Sequence, residues 1–195
     1  MGGKPTEKEA LDRFLEEWDG HRTRKSTLEA GLRDARETMK AGVALWLATL
    51  GYLVVVEHLG SSIARQSTVY PERLASEAAF KAAALEFSDG GIAEDEAEAL
   101  YSLRCALGHQ YGLRNRRRHI FTLDQVSPLV VLPTIPWDGT RSNASRSQTV
   151  VNVREVGRFV EGLVSNARRD HAAGLVALAP GKSAEDLDLF GGLYS

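Results

Sequence analysis

Apolar positions along the chain fall into blocks with helical spacing. Thr6 and Glu9 form a capping-box pattern ahead of Leu11, Phe14, Leu15 and Trp18, spaced i, i+3, i+4 and i+7, and Gly20 closes the block. Ser26 and Glu29 open a longer segment with Leu28, Leu32, Ala35 and Met39 on one face. From Ala41 to Val56 that segment carries no charge, until Glu57, His58 and Gly60. The run falls short of the ~20 apolar residues that span a bilayer. It predicts a helix buried on all sides, in the core or in an interface between two copies.

Pro71 suits the first turn of a third, alanine-rich helix that runs to about Phe87. Ser88-Asp89-Gly90-Gly91 then forces a turn. A fourth helix is expected from about Ala93 to Leu113, its positive end matched by Glu94, Asp95, Glu96 and Glu98. Beyond Arg114-Asn115-Arg116-Arg117-Arg118 the period changes. His119–Leu123 and Leu129–Leu132 read as two strands of a short hairpin, ended by Pro133-Thr134-Ile135-Pro136. A polar loop, Gly139–Ser147, leads to Val150-Val151-Asn152-Val153 and a last helix from about Arg154 to His171. The pattern thus divides into an N-terminal helix (1–25), a mainly helical domain (26–171) and a flexible acidic tail (172–195). In that tail only Leu187–Phe190 is expected to dock.

At 195 residues the chain suits one domain. Its single cysteine, Cys105, excludes an internal disulfide and speaks against a cysteine-based zinc site. Met1–Asp12 is charged and lacks an apolar core, so a cytoplasmic setting is expected, with no membrane, metal or cofactor. The net charge of −2 hides an asymmetry. Residues 1–100 hold 12 Lys and Arg against 18 Asp and Glu, whereas residues 101–171 hold 11 Arg, no Lys and only 5 acids. Arginine-only charge suits bidentate contact with phosphate or carboxylate. It also suits pairing with the acidic half of the same fold.

The fourth helix carries the candidate chemistry. Leu100, Leu103 and Leu107 share its apolar side, and the opposite side lines up Glu98, Ser102, Cys105 and His109. Arg104 lies beside that line with Tyr101 and Gly108 near it. A glycine inside a helix costs about 1 kcal/mol relative to alanine, so Gly108 suggests a shallow notch between Arg104 and His109. There the arginine can hold a phosphodiester and the histidine can move a proton, with no metal. This chemistry expects the two side chains to share a dry seam. Arg114, Arg116, Arg117 and Arg118, just downstream, are candidate RNA-binding residues for neighbouring phosphates. Tyr101, Tyr111 and Trp137 are available to stack on unpaired bases, although aromatic residues are equally core material.

The segment Leu103-Arg104-Cys105-Ala106-Leu107-Gly108-His109 resembles the signature of the HEPN superfamily (higher eukaryotes and prokaryotes nucleotide-binding domain), an Arg followed after four to six residues by a His. The resemblance spans roughly residues 26–171, with about seven residues carrying its specific part. It implies a HEPN-like up-and-down helical bundle with a short β-hairpin inserted before the last helix. It also implies a homodimer with the two Arg/His helices facing each other. Active members resemble metal-independent endoribonucleases of toxin–antitoxin, phage-defence and RNA-processing systems, some restrained by an antitoxin or regulatory protein partner. By position Arg104 would bind phosphate and His109 would act as acid and base, with Cys105, Ser102, Glu98 and Tyr101 in support. Cys105 stands where active members usually have Asn, Asp or His. Three readings follow: a homodimeric ribonuclease, a catalytically silent module binding RNA, nucleotide or a partner protein, and a plain helical interaction protein.

Overall fold

A computed structural model describes residues 4–17, 24–68, 75–110, 112–115, 119–140, 142–190 and 192–194. Helix α1 (Glu7–Leu15) begins where Thr6 Oγ1 accepts the Glu9 N–H and Glu9 in turn accepts the Thr6 N–H at 2.8 Å. Trp18 and Gly20, expected to finish this helix, lie outside the described residues. After β1 (Arg24–Ser26), Ser26 Oγ accepts the Glu29 N–H at 3.1 Å and starts α2 (Thr27–Ala41). The long segment expected beyond Ser26 is two helices, because Gly42 takes a left-handed φ of 68° and ends α2. The chain then restarts as α3 (Leu45–Ser62).

α3 is the central helix, packed against α2, α4 (Ser76–Glu86), α5 (Glu94–Gln110) and α6 (Val153–Ala172). Leu53, Val56 and Leu59 on α3 are fully buried, as are Phe80 of α4 and Leu100 and Leu103 of α5. Each such side chain contributes about 1.5–3 kcal/mol of burial. The α3–α4 crossing is so close that a Cβ at Gly60 would stand 1.9 Å from the Ala79 carbonyl oxygen. Within one chain α3 is nonetheless not enclosed on every side, so burial in the core alone does not account for it. Trp46, Leu47 and Val54 are exposed, with Val43 just ahead of them. Four helices cover only part of the circumference of an eighteen-residue cylinder, and among the described residues this strip stays uncovered.

The β structure also differs from the expected hairpin. β4 (His119–Asp124) pairs in parallel with β6 (Gln148–Asn152), and β5 (Val130–Val131) lies antiparallel on the far side of β6. With β3 (Arg114–Asn115) the order is β3-β4-β6-β5, so the two predicted hairpin strands never touch as a pair. Pro128 and Pro133 flank β5, confining it to two paired residues on an edge. Asp124 folds the chain back by accepting from Ser127 Oγ at 2.7 Å, leaving β4 open to β6. Asn152 then ends β6 and caps α6, accepting from the Arg154 and Glu155 N–H groups.

Beyond α6 the chain does more than dock one turn. β7 (Val176–Leu178) pairs with β2 (Ile63–Arg65), α7 (Ala184–Phe190) packs on α1, and β8 (Gly192–Tyr194) pairs with β1. An ion network fixes the turn ahead of α5. Arg65 contacts Asp170 through Nε at 2.8 Å and through Nη2 at 2.5 Å, and reaches Asp89 at 3.1 Å. Arg169 binds both of these aspartates, and the Arg65 guanidinium lies 5.5 Å over the Phe87 ring. The architecture is therefore mainly helical with small sheets, and no helix among the described residues is long and apolar enough to cross a membrane.

Candidate functional site

α5 owes its start to the acidic turn foreseen in the sequence: Glu96 accepts the Ala93 N–H at 2.8 Å. Its buried side is wider than the leucine stripe alone, since Ala97, Ala99 and Ala106 are as buried as Leu100 and Leu103. Small side chains let α5 settle closely among its neighbours. One result is that Ser102, expected on an open polar line, is buried at 6% exposure. Glu98 and Cys105 are half-buried and His109 is exposed. The line therefore rises out of the fold toward the C-terminal end of the helix. Glu98 stands eleven residues, roughly 16 Å of helix, before His109. It belongs to the other end.

At the upper end the chemistry does converge. Arg104 Nη1 lies 2.9 Å from His109 Nε2. An arginine has only donors, so Nε2 is the acceptor and bears no proton in this contact. The Arg104 side chain itself is 18% exposed and turns toward α3, where its Nε is 2.5 Å from Glu57 Oε2. That pair is an ion contact without hydrogen-bond alignment. Glu57 Oε2 and Arg104 Nε are both buried, and neither makes a hydrogen bond. The other Glu57 oxygen accepts from the hydroxyl of Ser76, the first residue of α4.

Tyr101 completes the group. Its ring packs 5.5 Å from Phe80, and its hydroxyl comes within bonding reach of Ser76 and Cys105. Burial pushes the Tyr101 hydroxyl above its ordinary pKa, a Ser76 hydrogen bond opposes the shift, and Cys105 and Glu57 add to it. Arg104, His109, Cys105 and Tyr101 thus come together, joined by Glu57 and Ser76, two residues that the sequence pattern does not single out.

A signal for Glu57 was present. It is the first charge after the uncharged run, and no Lys or Arg lies within four residues of it, so its partner has to come from another element. Ser76 carried no comparable signal.

Gly108 is not demanded by crowding. A Cβ there would sit 3.6 Å from Leu50 Cδ1 and 3.9 Å from Arg104 Nη1, both ordinary contacts. The open space beside Arg104 is thus about one methyl group deep, walled by Leu50. Nor is the seam dry within one chain, because His109 faces solvent.

Of the downstream arginines, Arg114 is exposed on β3, and Arg116, Arg117 and Arg118 lie outside the described residues, as does Tyr111. Trp137 is tied into its own loop by a 2.7 Å bond from Nε1 to the Thr140 carbonyl. Part of the positive segment pairs internally: Arg104, Arg168 and Arg169 meet Glu57, Glu29 and Asp89 of the acidic first half. No protein-family model, curated protein or solved structure matches the chain.

Proposed function

We propose that this protein is a metal-independent endoribonuclease of HEPN type, acting as a homodimer in a toxin–antitoxin or phage-defence setting. The observation that carries the reading is the 2.9 Å contact between an anchored arginine and a neutral, accepting histidine nitrogen at the solvent edge of α5. A phosphate oxygen arriving at Arg104 takes over the Nη1 donor and leaves the His109 Nε2 lone pair available. His109 then accepts the proton of a ribose 2′-hydroxyl as that oxygen bonds to phosphorus. The bond from phosphorus to the 5′-oxygen breaks, the leaving oxygen takes up a proton from solvent water, and His109 returns the proton it accepted to solvent. The products are a 2′,3′-cyclic phosphate and a 5′-hydroxyl. Arg104 offsets the negative charge that builds on the phosphate. Sequence selection is not expected from arginine–phosphate contacts alone, so unpaired RNA is the expected substrate.

The second copy has support of its own. Val43, Trp46, Leu47 and Val54 expose an apolar strip on the α3 side, and Leu50, in the same strip, borders Gly108. Seating a second chain there would cover the exposed His109 and exclude water from the seam. Sedimentation is expected to give a dimer, and a monomer would remove this part of the reading.

The deciding experiment is RNA cleavage in excess EDTA. Arg104→Ala and His109→Ala are expected to lower the rate by about 10²–10⁴-fold each. Cleavage that survives both substitutions removes the site. One alternative has a specific observation behind it. Arg104 is already engaged by Glu57 and His109, and Cys105 replaces the usual Asn, which favours a silent HEPN-like module binding RNA, nucleotide or a partner protein. Binding of labelled RNA without cleavage, unchanged in Cys105→Asn, selects that alternative.

A further inference from the structure

This inference deepens the nuclease reading and rests on it, but its first readout needs no catalysis. Glu57 places a carboxylate, 19% exposed, on the most apolar helix of the molecule. Burying such a charge is costly unless partners compensate it. Its partners come from two other helices: Ser76 of α4 donates to Oε1, and Arg104 Nε of α5 lies 2.5 Å from Oε2. The same guanidinium then extends Nη1 to His109 Nε2 at 2.9 Å. A long arginine side chain has many rotamers, and the Glu57 contact on its inner nitrogen holds the outer end beside the imidazole.

We infer that Glu57 is a positioning residue: acting through Arg104, it holds the His109 ring with Nε2 unprotonated and directed at the phosphate-binding guanidinium. Ser76 fixes the second carboxylate oxygen and so the plane in which the first one meets Arg104. The proton of a neutral His109 is thereby assigned to Nδ1, and Nε2 is kept as the atom that receives the 2′-hydroxyl proton. Because Nε stays with Glu57, the guanidinium is already in place when a phosphate displaces His109 from Nη1.

The test uses the full chain, uniformly labelled with nitrogen-15, and reads the His109 ring by long-range proton–nitrogen correlation, assigned with His109→Gln. In the unsubstituted protein the Nδ1–H tautomer is expected to dominate. Glu57→Gln keeps the shape and removes the charge, and is expected to shift the ring toward the Nε2–H form. Ser76→Ala should shift it in the same direction by less, and serves as the readout if Glu57→Gln does not fold. In the EDTA assay Glu57→Gln should lower kcat on the order of 10²-fold, with KM within about threefold of the unsubstituted value. An unchanged tautomer ratio in Glu57→Gln, or in Ser76→Ala if only that variant folds, overturns the inference whatever the cleavage data show. Absence of EDTA-resistant cleavage by the unsubstituted protein overturns the nuclease reading instead and leaves the tautomer measurement to judge the relay.

Discussion

Two arginine–carboxylate networks sit at different places in this molecule, and they differ in how completely their polar atoms are satisfied. In the clasp ahead of α5, Arg65 bonds through Nε and Nη2 to Asp170, reaches Asp89 as well, and stacks its charge over Phe87. At the candidate site, Arg104 Nε and Glu57 Oε2 are buried side by side without an aligned hydrogen bond, and the guanidinium leads outward to an exposed histidine. A fully bonded network stabilises a geometry. The network at the candidate site anchors its guanidinium at the buried Nε end and opens to solvent at the Nη1 end, where a ligand can enter.

The sharpest way to break this contrast is to remove one partner of the clasp. Asp170→Ala strips Arg65 of its most buried partner, and is expected to cost about 3 kcal/mol and lower Tm by roughly 6–12 °C. RNA cleavage measured well below that Tm should be unaffected, since Asp170 bonds to no residue of the site. Loss of cleavage with an unchanged Tm would erase the distinction between the two networks.

Two glycines make a second pair. Gly60→Ala forces a methyl into the Ala79 carbonyl across the α3–α4 crossing, and denaturant unfolding should show a loss of about 2–3 kcal/mol. Gly108→Ala meets no such obstacle. It should gain about 0.5–1 kcal/mol from helix propensity. The new methyl stands 3.9 Å from Arg104 Nη1, so the same variant is expected to cleave RNA more slowly. Gain of stability with full cleavage would show that the space beside Arg104 is not used.

The smallest expected effect is acid sensitivity of the clasp. Hydrogen bonds from Arg65 and then Arg169 hold the Asp89 carboxyl below its ordinary value of 3.8. A depressed carboxylate pKa adds stability that is present above pH 3.8 and lost as pH falls through the lower folded value. Asp89→Asn should therefore flatten part of the acid limb of a stability–pH curve below about pH 4. An acid limb identical to that of the unsubstituted protein would remove Asp89 from the clasp.

Local signals read well where the information is local. The capping residues Thr6 and Ser26, the acidic start of α5 and the extent of α6 follow from side chains a few positions apart. The Arg104–His109 pair was legible for the same reason, since five residues on one helix bring two side chains to neighbouring turns. Strand pairing was not. Val150 and Val151 were visible as an apolar run, but their place between β4 and β5 depends on contacts roughly 20–30 residues apart. Arg116, Arg117 and Arg118 lie outside the described residues, so their part in RNA binding stands as a proposal.

The chain by itself determined where α1, α2 and α6 begin, and that an arginine and a histidine share the end of α5; the break at Gly42 that separates α2 from α3 came from the structure. Periodicity and capping act over one or two turns, within reach of the sequence. Only the tertiary structure decided that a carboxylate from α3 and a hydroxyl from α4 meet that arginine, that Ser102 is buried, and that one strip of α3 stays uncovered. Those outcomes depend on how helices far apart in the chain cross. Crossing geometry is set by the summed packing of many side chains, with no short stretch of residues to record it.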